Sequence, residues 1–190
     1  WFLKEKELIP NDLFTRTKLE TVVKDFMKNN SASNFYNAIL QNLFFATLNQ
    51  KMNERGFTED NGYPANKKTY GVKNLYRYEN KFLISKEEVI KLFKDIPFLN
   101  GGLFDCLDKI DDTGKVIYID GFSRNPSKQA IIPDYLFFQR KEQKVDLSSY
   151  YGVGSSKFVR GLIEILNSYN FTVDENTPID QEIALDPELL

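Results

Sequence analysis

NFYNAILQNLFFATLNQKMN, residues 34–53, is the stretch on which the rest of the chain depends. Phe35, Ile39, Leu43 and Ala46 recur at helical spacing on one face, and Tyr36, Leu40, Phe44 and Leu48 on the adjoining one. A surface helix carries a narrower apolar stripe, so an arc this wide predicts a helix from about Asn34 to Asn53 buried between several elements. The polar run NNSASN before it (29–34) supplies Ser31 and Ser33 as break and cap.

Elements on either side follow by the same reasoning. Residues 10–29 predict a first helix, with Leu13, Phe14, Leu19, Val22, Val23, Phe26 and Met27 near helical spacing. Residues 54–68, with Gly56, Gly62 and Pro64, predict a loop or flexible insertion. TYGVKNLYRYENKFLI (69–84) alternates enough to predict short strand or extended structure. Ser85-Lys86-Glu87-Glu88 is a capping box that opens a helix through Phe93, with Pro97 just beyond its end. Asn100-Gly101-Gly102 predicts a structural turn, because glycines adopt positive φ cheaply and fold Phe98 and Leu99 back beside Leu103 and Phe104. Asp111–Gly114 predicts a hairpin turn leading into a strand at 115–122. Pro133 interrupts the apolar run 130–138, which is then an edge strand or a strand leading into a short helix. A loop around Tyr150–Gly154 precedes a helix capped at Ser155 or Ser156 and running through Tyr169. The sum is an α+β class: a mainly helical domain with a small antiparallel β element, spanning residues 1–190 as one unit.

Composition narrows the function. One hundred and ninety residues suffice for a single core, and 16 Phe with 10 Tyr predict that it is Phe-rich. The net charge of −2 does not suit a dedicated nucleic-acid binder, which is usually basic. The chain has no histidine, which excludes His-based general bases, His-containing triads and most zinc sites. A single cysteine, Cys106, excludes an intrachain disulfide and suits a cytoplasmic protein. Nothing in the sequence reads as a membrane span or a signal peptide.

Two clusters could carry chemistry. Pro133-Asp134 with Glu142-Gln143-Lys144 formally matches a PD…ExK pattern, in which carboxylates hold Mg²⁺ and a lysine faces the attacked phosphate. Only eight residues separate Asp134 from Glu142, and Glu142 lies in the charged run QRKEQK, so a surface turn is the expected reading. No catalytic residue and no metal ligand is therefore assigned. Lys67, Lys68, Lys73, Arg77 and Lys81, interleaved with Tyr70, Tyr76 and Tyr78, form the best candidate for DNA contact, with only Glu79 opposing them. Such a patch gives weak, sequence-independent contact with phosphates.

The C-terminal run YNFTVDENTPIDQEIALDPELL (169–190), together with PFLNGGLFD (97–105) and FFATLN (44–49), resembles fused restriction–modification proteins of the type IIG class. In these a single chain joins a nuclease, a helical connector, an adenine-specific DNA methyltransferase and a target-recognition region. The likeness covers most of residues 30–50 and 92–190 and points to the connector just upstream of the methyltransferase. The resemblance implies a non-catalytic spacer whose intramolecular partners are the nuclease and methyltransferase modules, on DNA. It places S-adenosylmethionine and Mg²⁺ in the parent protein, with no cofactor in this segment. The Gly-rich cofactor loop and the Asn/Asp-Pro-Pro-aromatic motif of that family are missing from residues 1–190; Asn125-Pro126-Ser127 is not the latter. Trp1 in place of Met and the helix-opening Asp186-Pro187-Glu188-Leu189-Leu190 agree with an excised piece. The rival readings are a compact Mg²⁺ nuclease using Asp134, Glu142 and Lys144, and a freestanding protein-interaction module.

Overall fold

A computed structural model of the chain describes residues 2–59, 73–99, 104–146 and 148–168. The fold is α+β: mainly helical, with two antiparallel pairs of short strands. At its centre lies the expected helix, which has a π-helical winding over Tyr36–Leu48. Its winding by i→i+5 bonds brings residues four and five apart onto one face. Its apolar side chains Phe35, Ile39, Leu43, Ala46 and Leu48 are buried in the main core. Asn37, Gln41, Asn42 and Thr47 are buried too.

Those amides stay buried because each finds a partner on an irregular segment. Asn42 receives the Arg77 N–H at 2.9 Å and donates to the Arg77 carbonyl at 2.9 Å, as a strand neighbour would. Gln41 donates to the Asp120 carbonyl at 2.7 Å, and Asn37 to the Ala130 carbonyl at 3.0 Å. Thr47 donates to the Tyr76 hydroxyl at 3.2 Å. A buried amide without partners costs about 1–3 kcal/mol, so this stripe both requires and fixes the loops around it.

Helix α1 is Phe2–Glu5 and α2 is Arg16–Val22. The expected helix over 10–29 is thus reduced to its middle. The Thr15 hydroxyl accepts from Lys18 N–H at 3.3 Å and caps α2. Val23 then leaves the helix for an extended bridge to Phe82, and Asp25 and Met27 take positive φ of 53°. Residues 73–84 are extended only in isolated bridges, Phe57 with Tyr76 and Val23 with Phe82, and Tyr78 is left-handed at φ 67°. The capping box forms as expected and opens α3, Lys86–Phe93: Ser85 Oγ accepts from Glu88 N–H, and the Glu88 carboxylate accepts from Ser85 N–H.

Arg55, inside the expected insertion 54–68, is a clamp. Its guanidinium donates to the carbonyls of Thr47 (2.9 Å) and Gln50 (3.2 Å) at the end of the central helix. It also reaches those of Phe93 (2.9 Å), Lys94 (3.1 Å) and Ile96 (2.7 Å) after α3. A cation at two helix C-termini satisfies orphan carbonyls and opposes both dipoles.

Strands β1 (Lys109–Ile110) and β2 (Val116–Ile117) form the first hairpin, pairing Ile110 with Val116. The expected turn closes it: Gly114 has φ 81°, and Asp111 accepts from Thr113 N–H and Lys115 N–H, both at 2.9 Å. The strand expected at 115–122 is confined to β2. Pro133 is followed by one helical turn, α4 (Tyr135–Phe138), the helical form of the expected element. The second pair is β3 (Gln143–Asp146) with β4 (Ser156–Val159), flanking α5 (Ser148–Tyr151), and α6 (Leu162–Leu166) follows. The helix expected from 155 onward is corrected here: Ser156–Val159 pairs as a strand, and only 162–166 is helical. Gly161 seats α6 against α4. A Cβ there would lie 2.4 Å from the Phe137 carbonyl oxygen, and its N–H donates to the Gln139 carbonyl at 2.8 Å.

The core is Phe-rich, as expected. Phe35 meets Phe138 edge-on at 4.7 Å between centroids, and Phe26 meets Phe138 at 5.1 Å. The Asn100-Gly101-Gly102 turn and the C-terminal run from 169 lie outside the described residues.

Candidate nucleic-acid interface

Of the five basic candidates, Lys67 and Lys68 lie outside the described residues. The other three take different positions. Lys73 is exposed, and its Nζ donates to the Asp108 carbonyl at 2.8 Å. Arg77 is only 5% exposed. It donates to the Phe122 carbonyl, and its guanidinium carbon stands 4.2 Å from the centre of the Phe122 ring. Burial lowers its pKa from the ordinary arginine value, although arginine stays charged in proteins. Lys81 is half-buried and donates to Asn37 Oδ1 (2.8 Å) and Asn34 Oδ1 (3.1 Å). Burial lowers its pKa as well. Tyr76 and Tyr78 are buried, and desolvation raises both phenol pKa values. Among the described residues, then, Lys73, Arg77 and Lys81 do not share one outward basic face, and Lys73 is the exposed member.

Lys73 and Arg77 open onto a cavity of about 230 Å³ beside the first hairpin. Lys109 and Arg124 add two more cations to its wall, and Ile110, Val116, Tyr118 and Phe122 make it apolar. Among the described residues Asp108 is the one carboxylate in the lining, and it accepts from Ile119 N–H (2.8 Å) and Asp120 N–H (3.2 Å). Sequence reading missed this convergence. Charge clustered along the chain is visible in a sequence, whereas Lys109 and Arg124 reach Lys73 only through the fold.

Beside the cavity, Cys106, Asp108 and Asp120 bring ligand atoms within 4.8 Å of one another. Both carboxylates are engaged in the backbone, since Asp120 accepts from Leu107 N–H. Burial pushes the Cys106 thiol up to about 11, so the thiolate that binds metals is scarce at neutral pH. The two carboxylates tie the two ends of the hairpin together, and with Cys106 they do not make a fitting Mg²⁺ site, which calls for free oxygen ligands.

The PD…ExK residues do not fit one either. Asp134 is fully buried and its oxygens accept from Phe35 N–H (2.9 Å) and Met27 N–H (3.1 Å). It thereby caps the central helix from across the chain. Glu142 and Lys144 are exposed beside and on β3. The surface turn expected for this pattern is corrected at Asp134, which is buried and structural because its carboxylate satisfies two backbone N–H groups, and Glu142 and Lys144 are the exposed members.

No protein-family model matches the chain, and no solved structure matches it. Over 189 residues the chain is 26% identical to a Methanocaldococcus jannaschii protein provisionally named a type II restriction enzyme and methyltransferase. That alignment takes in the whole of this chain and 10% of the archaeal protein. The finding is a likeness to a restriction–modification protein; the chain spans about a tenth of that relative's length. Among the described residues, no helix is long and apolar enough to cross a membrane.

Proposed function

We propose that this chain is the connector segment of a fused restriction endonuclease and adenine-N6 DNA methyltransferase, spacing the two modules along DNA. The observation that carries the reading is the full-length likeness to a small share of a much larger restriction–modification protein. The site geometry supports the non-catalytic part of it. The one nuclease-like pattern has its aspartate committed to helix capping, and Asp108 and Asp120 are committed to backbone N–H groups of a loop. S-adenosylmethionine and Mg²⁺ then serve other modules of the parent, and residues 1–190 act as one spacer. Any DNA contact of the spacer is weak and sequence-independent, through phosphates, with Lys73 the exposed described member of the basic set.

The test has two arms. The isolated chain, incubated with plasmid, Mg²⁺ and S-adenosylmethionine, should neither cut nor methylate. Cleavage that disappears in Lys144→Ala, an exposed position that leaves the core intact, would instead make it a nuclease. In the parent, replacing residues 1–190 by a Gly/Ser linker of equal length should leave methylation in place and scatter or abolish cutting at a fixed distance. Unchanged cutting would refute the spacer role.

A further inference from the structure

We infer that the cavity between Lys73, Lys109 and Arg124 binds a single nucleoside phosphate unit. Three properties converge on that ligand class. Among the described residues the lining carries four cations against one carboxylate, and that carboxylate already accepts two backbone N–H groups, so the cavity favours an anion. Arg77 and Arg124 are both buried, and charge acts more strongly there than at an open surface. A phosphate presents several acceptor oxygens, which suits the exposed ammonium groups of Lys73 and Lys109, with Arg124 adding its charge from the wall.

The remaining wall is not built for a bare ion. Ile110 and Val116 face each other across the hairpin, and Tyr118 adds a ring. Apolar and aromatic surface of this kind receives the face of a base or sugar. The cavity, at about 230 Å³, lies below the usual ~300–1,000 Å³ of small-molecule sites. That volume is too small for a dinucleotide cofactor and seats at most one nucleotide, part of it left outside the cavity. The cavity shares Lys73 and Arg77 with the linear basic run and adds Lys109 and Arg124 from elsewhere in the chain, and the inference stands whether or not the chain is a spacer.

The ligand could be a free mononucleotide or one nucleotide of a DNA strand, and calorimetric titration of the 190-residue chain separates them. The probes are dAMP, deoxyadenosine, inorganic phosphate, and a short single-stranded oligonucleotide. Saturable dAMP binding is expected, at least tenfold weaker for deoxyadenosine and for phosphate alone, and weakening steeply with salt. Lys109→Ala, at an exposed strand position, should weaken dAMP about tenfold, and Tyr118→Ala should lose affinity for dAMP while leaving phosphate unchanged. Lys94→Ala, at the end of α3, should do neither. An oligonucleotide that displaces dAMP identifies the strand as source; failure to displace it identifies the free nucleotide. The inference is overturned if dAMP shows no saturable binding, if deoxyadenosine binds as well as dAMP, or if Lys109→Ala leaves dAMP affinity unchanged. These outcomes are independent of the linker replacement in the parent, so the two readings fail separately.

Discussion

Residues up to 99 and residues 104–168 use side chains in opposite ways. The first region places polar groups inside: Asn37, Gln41, Asn42 and Thr47 are buried on the central helix, and Arg55 gathers five carbonyls. The second leaves apolar groups outside. Of fifteen large hydrophobic residues exposed among the described residues, eleven lie in 104–168, including Ile110 at 69% and Phe158 at 68%. Short strands explain part of this. A two-stranded ribbon with nothing on its outer face buries little. The contrast teaches that order in the first region is fixed by satisfying buried donors and acceptors, whereas the second is held at a few points such as Gly161 and the Phe137–Phe138 pair.

The largest effect should come from Arg55. Arg55→Ala leaves five carbonyls at two helix ends without their shared donor, and we expect a loss of about 3 kcal/mol by urea denaturation. Arg55→Lys should recover only part, since an ammonium cannot fork to both helices. A loss below about 1 kcal/mol would mean the clamp is incidental and would blur the contrast.

Next is Asn42→Ala. It removes both partners of the Arg77 backbone, leaving a buried N–H and a buried C=O, and should cost about 2 kcal/mol. Accelerated hydrogen exchange at the Arg77 amide would locate the damage there. Unaltered exchange would show that the amide stripe follows the loops and does not hold them.

Asp134 gives a pH signature in place of a size. Burial raises its pKa above the ordinary aspartate value, although the Phe35 and Met27 amides pull it down. Between the ordinary and the raised value the native state binds more protons than the unfolded one, so this group's contribution falls as pH rises through that window and stays lost above it. Asp134→Asn keeps one acceptor and cannot titrate. Stability measured from about pH 4 to about pH 7 should therefore decline more in the native sequence than in Asp134→Asn. Parallel profiles would count against a buried, titrating carboxyl.

What could be read from the chain follows the same division between local and distant causes. The Ser85 capping box and the Asp111–Gly114 turn were legible because their partners lie within four residues. The central helix was legible from its apolar arc, but its amide stripe was not. Burial of Asn37, Gln41 and Asn42 is decided by acceptors at Ala130, Asp120 and Arg77, far along the chain. The 4-residue step from Asn37 to Gln41 among apolar neighbours was a usable signal. Arg77 reads in the sequence as one of five candidate DNA contacts interleaved with tyrosines, yet left-handed Tyr78 breaks the alternation and Tyr76, Arg77 and Tyr78 all turn inward. The strand β3 was hidden because QRKEQK is charged: Lys144 is exposed, and pairing with Phe158 is a backbone matter.

The smallest effect tests the second region directly. Phe158 sits on β4 opposite Lys144, with its ring exposed, and Ile110 lies in β1 beside the cavity. Surface substitutions away from caps and cores usually change stability by no more than about 0.5 kcal/mol. Phe158→Ser should therefore leave the melting transition of the isolated chain nearly unchanged, with a small loss from weaker strand propensity. It should also reduce binding of a dye that reports exposed apolar surface. Ile110→Ser should be equally mild for stability but should weaken dAMP, because it removes part of the apolar wall of the cavity. If Phe158→Ser costs more than about 1.5 kcal/mol, the ring is covered in solution, by a second copy or by the chain itself, and concentration-dependent melting distinguishes these. That result would move residues 156–159 into the buried class and leave Ile110 as the outlying case of the comparison.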